Sequence, residues 1–423
     1  MAETCVVIGN GGAAMECVKA ARESGYEGDI FMMSDSSLPC HNPTLITYFA
    51  SGKIEYDALF PYGNSFDFYS KHDVKRCFGS PVVSLDAERR IVKNANGLEI
   101  VFDKCVVATG ASPIPLQAFA GVQDYVCMLR SVDDAWKFKG ILSSERKRAL
   151  VVGASMIGVK AAEALAGAGF DMTLADFAEN VCPLAAHENC SKLIQNILEE
   201  HKIKLRFGSP VERAEIYGDS FDIYYPGCAE PEPVDHIVVC AGVGPNISFI
   251  DPGQIKIENG VAVDNYMETN VKDIYAAGDV AQGPGIESDS QVSGLWSVAR
   301  LQGRTVGQNI AGKKIKYAGS LPHNMMHFFD CDFAGIGDVK SGDEVYEFSD
   351  SVKNRYCRLA FEGKNLTGIN LLNIPEISGI LKYHLTKSIA SGDPLNELKN
   401  ESLGMNKLYE KFPNIEKIFM EKR

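Results

Sequence analysis

Residues 4–25, TCVVIGNGGAAMECVKAARESG, decide the fold predicted for this chain. Cys5–Ile8 is a short apolar run rich in β-branched residues, which is typical of a strand buried on both faces of a parallel sheet. Gly9, Gly11 and Ala14 follow with the spacing G-x-G-x-x-G/A, and Met15–Arg22 has the composition of a helix. In this motif the glycines permit a tight turn and the close approach of a pyrophosphate, and the third small residue lets helix and strand pack closely. The stretch therefore predicts a dinucleotide pyrophosphate held at a helix N-terminus.

A second apolar run supports this interpretation. Ile30–Met33 has the composition of the next strand and is followed by Asp35, 24 residues beyond Gly11. A carboxylate at this distance binds a ribose hydroxyl in the same motif, so we expect that role for Asp35. The alternative is a solvated residue in the turn SDSS.

The composition bounds the fold and the class of ligand. With 423 residues, 45% hydrophobic and 23% charged, the chain is long enough for two or three globular domains. A net charge of −13 argues against nucleic acid or an anionic membrane as a general partner. The sequence has no apolar run long enough to span a membrane and enters a strand directly at its start, so we expect a cytoplasmic protein.

The twelve cysteines include no C-x-x-C pair and no Cys/His cluster with the spacing of metal ligands. We therefore expect no metal site, and we interpret most cysteines as reduced, small, buried hydrophobic residues.

The glycine motif occurs a second time. Ala149–Gly158 reads ALVVGASMIG, in which Gly153 and Gly158 match and Ser155 replaces the middle glycine. A helix is predicted behind it through Leu165, and the strand after that helix ends at Asp176. Two such units imply two dinucleotides.

Other segments complete the predicted order of elements. Asn42 followed by Pro43 is typical of a helix start, and it predicts a helix over residues 44–52. Strands are also predicted over residues 81–85, 90–93, 98–102, 104–107, 332–337, 354–361 and 365–372, with one more inside residues 237–246 and another inside residues 270–281. A helix is predicted over residues 295–304, and further helices are predicted after residue 372 to the chain end. The fold class predicted is α/β, with two Rossmann-like domains and a C-terminal α+β domain.

Together with ATGASP at 108–113 and YAAGDV at 275–280, the two motifs resemble the FAD- and NAD(P)H-dependent pyridine nucleotide-disulfide oxidoreductase superfamily. Rubredoxin reductases, NADH oxidases and the flavin part of NADH-dependent nitrite reductases are the members it resembles most. The resemblance implies an FAD domain from residues 1–114 and 245–318, an NAD domain over 115–244, and a C-terminal interface domain over 319–423.

The resemblance also implies which residues contact the cofactors. FAD is expected at Gly9, Gly11, Gly12, Asp35, Asn42, Val83, Thr109, Gly110, Arg130, Asp279 and Gly303, with a turn at Gln302–Gly303 beside the flavin ring. NADH is expected at Gly153, Ser155, Ile157, Gly158, Asp176, Gly242 and Val243. The Asp176 carboxylate would accept a hydrogen bond from a ribose 2′-OH and repel a 2′-phosphate, which predicts that the enzyme prefers NADH to NADPH as its coenzyme.

The sequence departs from the family pattern where the chemistry takes place. Many relatives carry a redox cysteine where this chain has Asn42, and Cys40 two residues earlier is interpreted as a packed residue or, alternatively, as a thiol beside the flavin. Several relatives pair a lysine near position 47 with a glutamate near position 160, whereas this chain has Thr47 and Lys160. We take these two as catalytic candidates, with Lys160 at the flavin edge favouring the reduced anion or, alternatively, an ordinary surface lysine.

The function expected from the resemblance is electron transfer between NAD(H) and an external one-electron carrier. A rubredoxin or a ferredoxin-like iron–sulfur subunit is the expected partner, including the kind attached to an anaerobic dehydrogenase such as carbon monoxide dehydrogenase. An NADH oxidase that uses O₂ and a flavin-holding subunit without turnover are the alternatives. A homo-oligomer and a subunit of a larger redox complex both stay open.

Overall fold

The computed structural model describes residues 3–285, 290–363, 365–379, 381, 382 and 385. It forms two compact units. The first unit gathers residues 3–114, Met128–Leu142 and the described residues between Gly242 and Ser320, and the second gathers Pro115–Cys127, Ser143–Ala241 and the described residues from Leu321 on. The part of the predicted C-terminal helices that covers residues 386–423 lies outside the described residues.

A five-stranded parallel sheet forms the centre of the first unit. From edge to edge its strands are Ile274–Ala276, Lys104–Val107, Thr4–Ile8, Asp29–Met33 and Val74–Cys77. The predicted strand at Cys5–Ile8 is confirmed, and its residues are almost fully buried. It lies between two parallel neighbours, with Val7 opposite both Met32 and Val106. Burial on both faces explains why this strand is a continuous apolar run.

A second five-stranded sheet forms the centre of the second unit. Its strands, in order, are Lys204–Arg206, Asp171–Ala175, Arg148–Val152, His236–Val239 and Cys127–Met128. The first four pair in parallel, as in the first unit. The duplicated α/β architecture predicted from the two glycine motifs is therefore confirmed.

The second unit also contains a five-stranded antiparallel sheet. Its strands, in order, are His323–Phe328, Cys331–Gly337, Asn365–Leu372, Arg355–Glu362 and Glu344–Asp350. Three of these five strands are the ones predicted from the sequence beyond residue 319.

Smaller elements connect these sheets. The remaining strands are Val82–Asp86, Ile91–Asn94, Glu99–Val101, Ala111–Pro113, Arg213–Tyr217, Ser220–Tyr224, Glu232–Val234, Val243–Pro245, Val261–Ala262, Ala281–Gly283 and Gln291–Val292. The α-helices are Gly12–Glu23, Ile46–Ala50, Asp67–Lys71, Val132–Leu142, Met156–Gly167, Glu188–Glu200 and Trp296–Ile310. Short 3₁₀ helices cover Pro43–Leu45, Tyr56–Leu59, Gln117–Phe119, Gln123–Tyr125 and Pro375–Ile377. Along the described residues, no helix combines the length and apolarity needed to cross a bilayer.

Helix Trp296–Ile310 lies against helix Gly12–Glu23, and two glycines allow this close approach. A Cβ atom at Gly303 would overlap the carbonyl oxygen of Ala13, and one at Gly307 would overlap that of Cys17. The turn predicted at Gln302–Gly303 is wrong, because both residues lie inside the helix. Gly303 leaves room for the close contact of the two helices, and the FAD contact expected at this residue stays a prediction.

The helix Val132–Leu142 belongs to the first unit, whereas the sequence-based division assigns it to the NAD domain. It packs on Ile46–Ala50, where the rings of Trp136 and Phe49 meet edge to face with centroids 4.9 Å apart. The division into three domains stays a prediction.

Candidate functional site

The first glycine motif forms a sharp turn with open space at its centre. Gly9 has φ +116°, and a Cβ atom there would overlap the carbonyl oxygen of Ala108. Gly11 is the N-cap of helix Gly12–Glu23, and a Cβ atom there would meet nothing within 4 Å. Among the described residues, no side chain caps this helix at Gly11. The backbone N–H groups of the first turn therefore face a cradle that suits a pyrophosphate.

Three other residues predicted to bind FAD lie in different surroundings. A Cβ atom at Gly12 would lie 2.9 Å from the indole ring of Trp296, so this glycine makes room for the ring. Asp35 is exposed beyond the second strand, and its Oδ1 accepts from Ser36 N at 2.8 Å. Val83 lies at a register shift between strands, which takes its backbone out of the ladder and suits the predicted FAD contact.

The tertiary structure brings Arg130 and Asp279 together although 149 residues separate them. The Arg130 guanidinium donates to the Asp279 carboxylate at 2.9 Å, and a Cβ atom at Gly110 would lie 3.7 Å from the same nitrogen. Thr109 Oγ1 donates to the carbonyl oxygen of Asn246 at 2.8 Å. Four of the residues predicted to bind FAD therefore belong to two adjoining clusters.

Two residues that were not among the predicted cofactor contacts support these clusters. Asn246 Nδ2 donates to the Thr109 carbonyl at 3.0 Å, which closes a reciprocal pair. Gln302 Oε1 accepts from Gly278 N at 2.8 Å and thereby fixes the turn that presents Asp279. Asn246 directly follows Pro245, and this pair of residues was a signal in the sequence. A glutamine inside a helix carries no comparable signal.

The segment around Asn42, where many relatives carry a redox cysteine, has a structural role in this chain. The Asn42 side chain caps the helical turn that follows, accepting from Thr44 N at 3.0 Å, which confirms the predicted helix start. Thr47 is buried on helix Ile46–Ala50. Burial raises the pKa of the Cys40 thiol, which is 1% exposed, so the thiolate is disfavoured. Burial also lowers the pKa of His41, whose Nε2 lies 3.3 Å from the Arg130 carbonyl oxygen.

We expect Cys40→Ala to keep NADH oxidation by an artificial acceptor within about twofold of wild type, because an inert buried thiol takes no part in the chemistry. Steady-state NADH oxidation of the two proteins checks this. A loss of more than about tenfold, with the bound flavin retained, would show that the thiol participates.

The second glycine motif reproduces the first with one substitution. Gly153 has φ +101°, and a Cβ atom at Gly158 would overlap the carbonyl oxygen of Gly153. Ser155 is the N-cap of helix Met156–Gly167, where its hydroxyl donates to the Cys240 carbonyl at 3.2 Å and accepts from Gly158 N at 3.4 Å. Ile157 is 38% exposed on the first turn. The predicted contacts of these four residues with NADH stay predictions.

Asp176 is 8% exposed and holds the same loop. Its Oδ2 accepts from Ala154 N at 2.6 Å, and its Oδ1 accepts from Ala178 N at 2.9 Å. The carboxylate thus lies where the strand Asp171–Ala175 ends and touches the backbone between the two motif positions Gly153 and Ser155. A ribose that reaches this loop meets a negative charge.

We expect Asp176→Asn to lower the ratio of kcat/KM for NADH over NADPH by at least about tenfold, because the charge that repels a 2′-phosphate is removed. Asp171→Asn, at the exposed start of the same strand, is the matched control. An unchanged ratio in the Asp176 variant would contradict the prediction, and so would comparable use of both coenzymes by the wild type.

The predicted NADH contacts Gly242 and Val243 belong to the first unit. The Gly242 carbonyl accepts from Ile114 N at 3.2 Å, and Val243 pairs with Pro113 in a two-stranded ladder. Val243 is 44% exposed. Their contact with NADH stays a prediction.

Lys160 is buried, so the alternative of an ordinary surface lysine is wrong. Its Nζ pairs with the carboxylate of Glu163 and donates to the His327 carbonyl oxygen at 2.8 Å. Glu163 also accepts from Phe329 N at 3.0 Å. A carboxylate three residues further along the helix thus accompanies the lysine, and the i, i+3 spacing was readable in the sequence.

Comparison with known proteins places these features in a family. Residues 3–303 match the family of pyridine nucleotide-disulphide oxidoreductases. The chain is 30% identical over 373 residues to subunit epsilon of an NADH-dependent phenylglyoxylate dehydrogenase from Aromatoleum evansii, covering 86% of this chain and 87% of the relative. It is 26% identical over 352 residues to an NADH-rubredoxin oxidoreductase from Clostridium acetobutylicum, covering 83% and 86%.

The fold is also that of a solved structure, the covalent complex of putidaredoxin reductase with putidaredoxin. The TM-score is 0.84 at 20% sequence identity, with 93% of this chain and 97% of the other covered. The residues fit both cofactors of the family, since the open cradle at Gly11 suits FAD and the loop held by Asp176 suits NADH. The chain belongs to the pyridine nucleotide-disulphide oxidoreductase family and is an FAD-dependent NADH oxidoreductase.

Proposed function

We propose that this enzyme moves electrons between NAD(H) and a separate iron–sulfur protein, either a rubredoxin or a ferredoxin-like subunit. The names of the relatives support this proposal, because they include a rubredoxin oxidoreductase and a subunit of an NADH-dependent dehydrogenase. The ferredoxin-like carriers proposed here include the kind of iron–sulfur subunit attached to an anaerobic dehydrogenase such as carbon monoxide dehydrogenase.

The observation that carries the proposal is the arrangement around Cys40 and Asn42. Relatives that reduce disulfides or peroxides are expected to use a reactive thiol there, whereas here Asn42 is a helix cap and the pKa of the buried Cys40 thiol is raised. A thiol relay at this point is disfavoured, so electrons that reach the flavin are passed to an acceptor outside the chain.

FAD supplies the conversion between two-electron hydride transfer and one-electron steps. The chain contributes position and charge. The Gly11 cradle and the Arg130–Asp279 pair would hold FAD in the first unit, and the Asp176 loop would hold NADH in the second. Holding two reacting groups in contact is the larger part of catalysis in such a reaction.

Anaerobic reduction by NADH, followed by a choice of oxidants, tests the proposal. We expect NADH to bleach the flavin, and a reduced rubredoxin or ferredoxin to form faster than O₂ is consumed. Rapid O₂ consumption with no transfer to either iron–sulfur protein would favour an NADH oxidase. Bound FAD that NADH leaves oxidised would favour a structural subunit.

We also propose a catalytic contribution from Thr47 and Lys160, with Lys160 favouring the reduced, anionic flavin. Lys160→Met is expected to lower the flavin potential and slow its reduction by NADH. Because this change leaves Glu163 buried without its cation, the Lys160→Met/Glu163→Gln double variant is the control for loss of the ion pair. An unchanged potential and reduction rate in both variants would refute the role of Lys160.

A further inference from the structure

Four residues of the first unit form a hydrogen-bond network between the glycine motif and a segment distant in sequence. Asn10 Nδ2 donates to the Leu38 carbonyl at 3.0 Å, and the Tyr69 hydroxyl donates to Asn10 Oδ1 at 2.6 Å. The same hydroxyl accepts from Cys40 N at 2.9 Å. We call Asn10, Leu38, Cys40 and Tyr69 the Tyr69 network.

Asn10 lies between Gly9 and Gly11, the two glycines that shape the cradle. Its side-chain amide donates one hydrogen bond through Nδ2 and accepts one through Oδ1, both with atoms of the network. The middle of the glycine motif is therefore tied from two directions to the segment that leads to Asn42. Such ties reduce the conformational freedom that a ligand would otherwise have to remove on binding.

Tyr69 can hold this position because it is 1% exposed. Its ring packs edge to face on Phe78, with centroids 5.5 Å apart. Burial raises the pKa of the Tyr69 phenol to about 12, so the hydroxyl keeps its proton at neutral pH and remains able to donate to Asn10. One buried hydroxyl is thus hydrogen-bonded to both Asn10 and Cys40.

We propose that Tyr69 and Asn10 are positioning residues, which preform the pyrophosphate cradle and thereby raise the affinity of the first unit for FAD. Neither residue touches the reacting atoms in this role. The inference rests on FAD as the cofactor and is independent of the electron acceptor.

Titration of FAD into apoprotein tests the inference. Tyr69→Phe keeps the ring and removes only the hydroxyl, which leaves Asn10 Oδ1 and Cys40 N without this partner. We expect FAD binding to weaken by about tenfold. Asn10→Ala is expected to act similarly, and the double variant to be little worse than either single one, because both changes break the same network.

Tyr62→Phe is the matched control in the same unit. The Tyr62 hydroxyl donates to Glu16 Oε1 at 2.8 Å, so this change also removes a hydrogen-bonded phenol, but one outside the network. We expect Tyr62→Phe to keep the wild-type affinity for FAD even where its thermal stability falls. Equal weakening in both tyrosine variants would overturn the proposal, since it would reflect general loss of stability.

Thiol labelling gives a readout that does not depend on flavin. Cys40 is buried in the wild type, and its alkylation in apoprotein can be followed by peptide mapping. We expect Tyr69→Phe to speed labelling of Cys40 by about tenfold, in line with the loss of one buried contact, and Tyr62→Phe to leave it unchanged. Wild-type FAD affinity together with wild-type labelling in Tyr69→Phe would overturn the proposal.

Discussion

Gly158→Ala is expected to lower the affinity for NADH by about 100-fold while the protein keeps its FAD, an effect of about 3 kcal/mol. The reason is steric, since an added Cβ atom would overlap the carbonyl oxygen of Gly153 and force the second glycine motif apart. FAD is retained because its predicted contacts lie in the other unit. The measurement is NADH binding and anaerobic flavin reduction, with the flavin absorbance counted per chain.

Gly167→Ala is the matched control for this change. It lies at the end of the same helix, and a Cβ atom there would meet nothing within 4 Å. We expect wild-type binding of NADH, because alanine favours the helix over glycine. Reduction of the flavin by NADH at the wild-type rate in the Gly158 variant would contradict the assignment of this motif to the coenzyme.

Gly9→Ala is expected to yield a protein that is purified without flavin and is less stable. Two costs combine at this residue. The backbone at φ +116° disfavours any L side chain, and the new Cβ atom would overlap the carbonyl oxygen of Ala108. Together they are worth about 2–5 kcal/mol, enough to open the contact between the central strand and its neighbour. Flavin content and thermal unfolding of the purified variant provide the measurement.

Gly25→Ala separates the two costs. Its φ of +89° carries similar backbone strain, but a Cβ atom there would meet nothing within 4 Å. We expect a modest fall in stability with full flavin content. A Gly9 variant that holds FAD as the wild type does would show that the first motif is not the flavin site.

The elements of the fold were predictable because their signals are local. Cys5–Ile8 is apolar throughout because both its faces are buried, and the glycines follow it because the chain must turn sharply toward a helix. The same reasoning located the second motif and the helix start at Asn42. The turn that the family resemblance implied at Gln302–Gly303 was wrong, because both residues lie inside a helix and Gly303 serves the contact between two helices.

By itself, then, the sequence determined the two nucleotide motifs, the acidic residues that follow them and the absence of the redox cysteine at Asn42. Only the tertiary structure decided which distant side chains meet. It paired Arg130 with Asp279, Lys160 with the backbone carbonyl of His327, and Asn10 with Tyr69. Such pairs depend on how sheets and helices pack, and packing brings together residues whose separation along the chain carries no periodic or compositional signal.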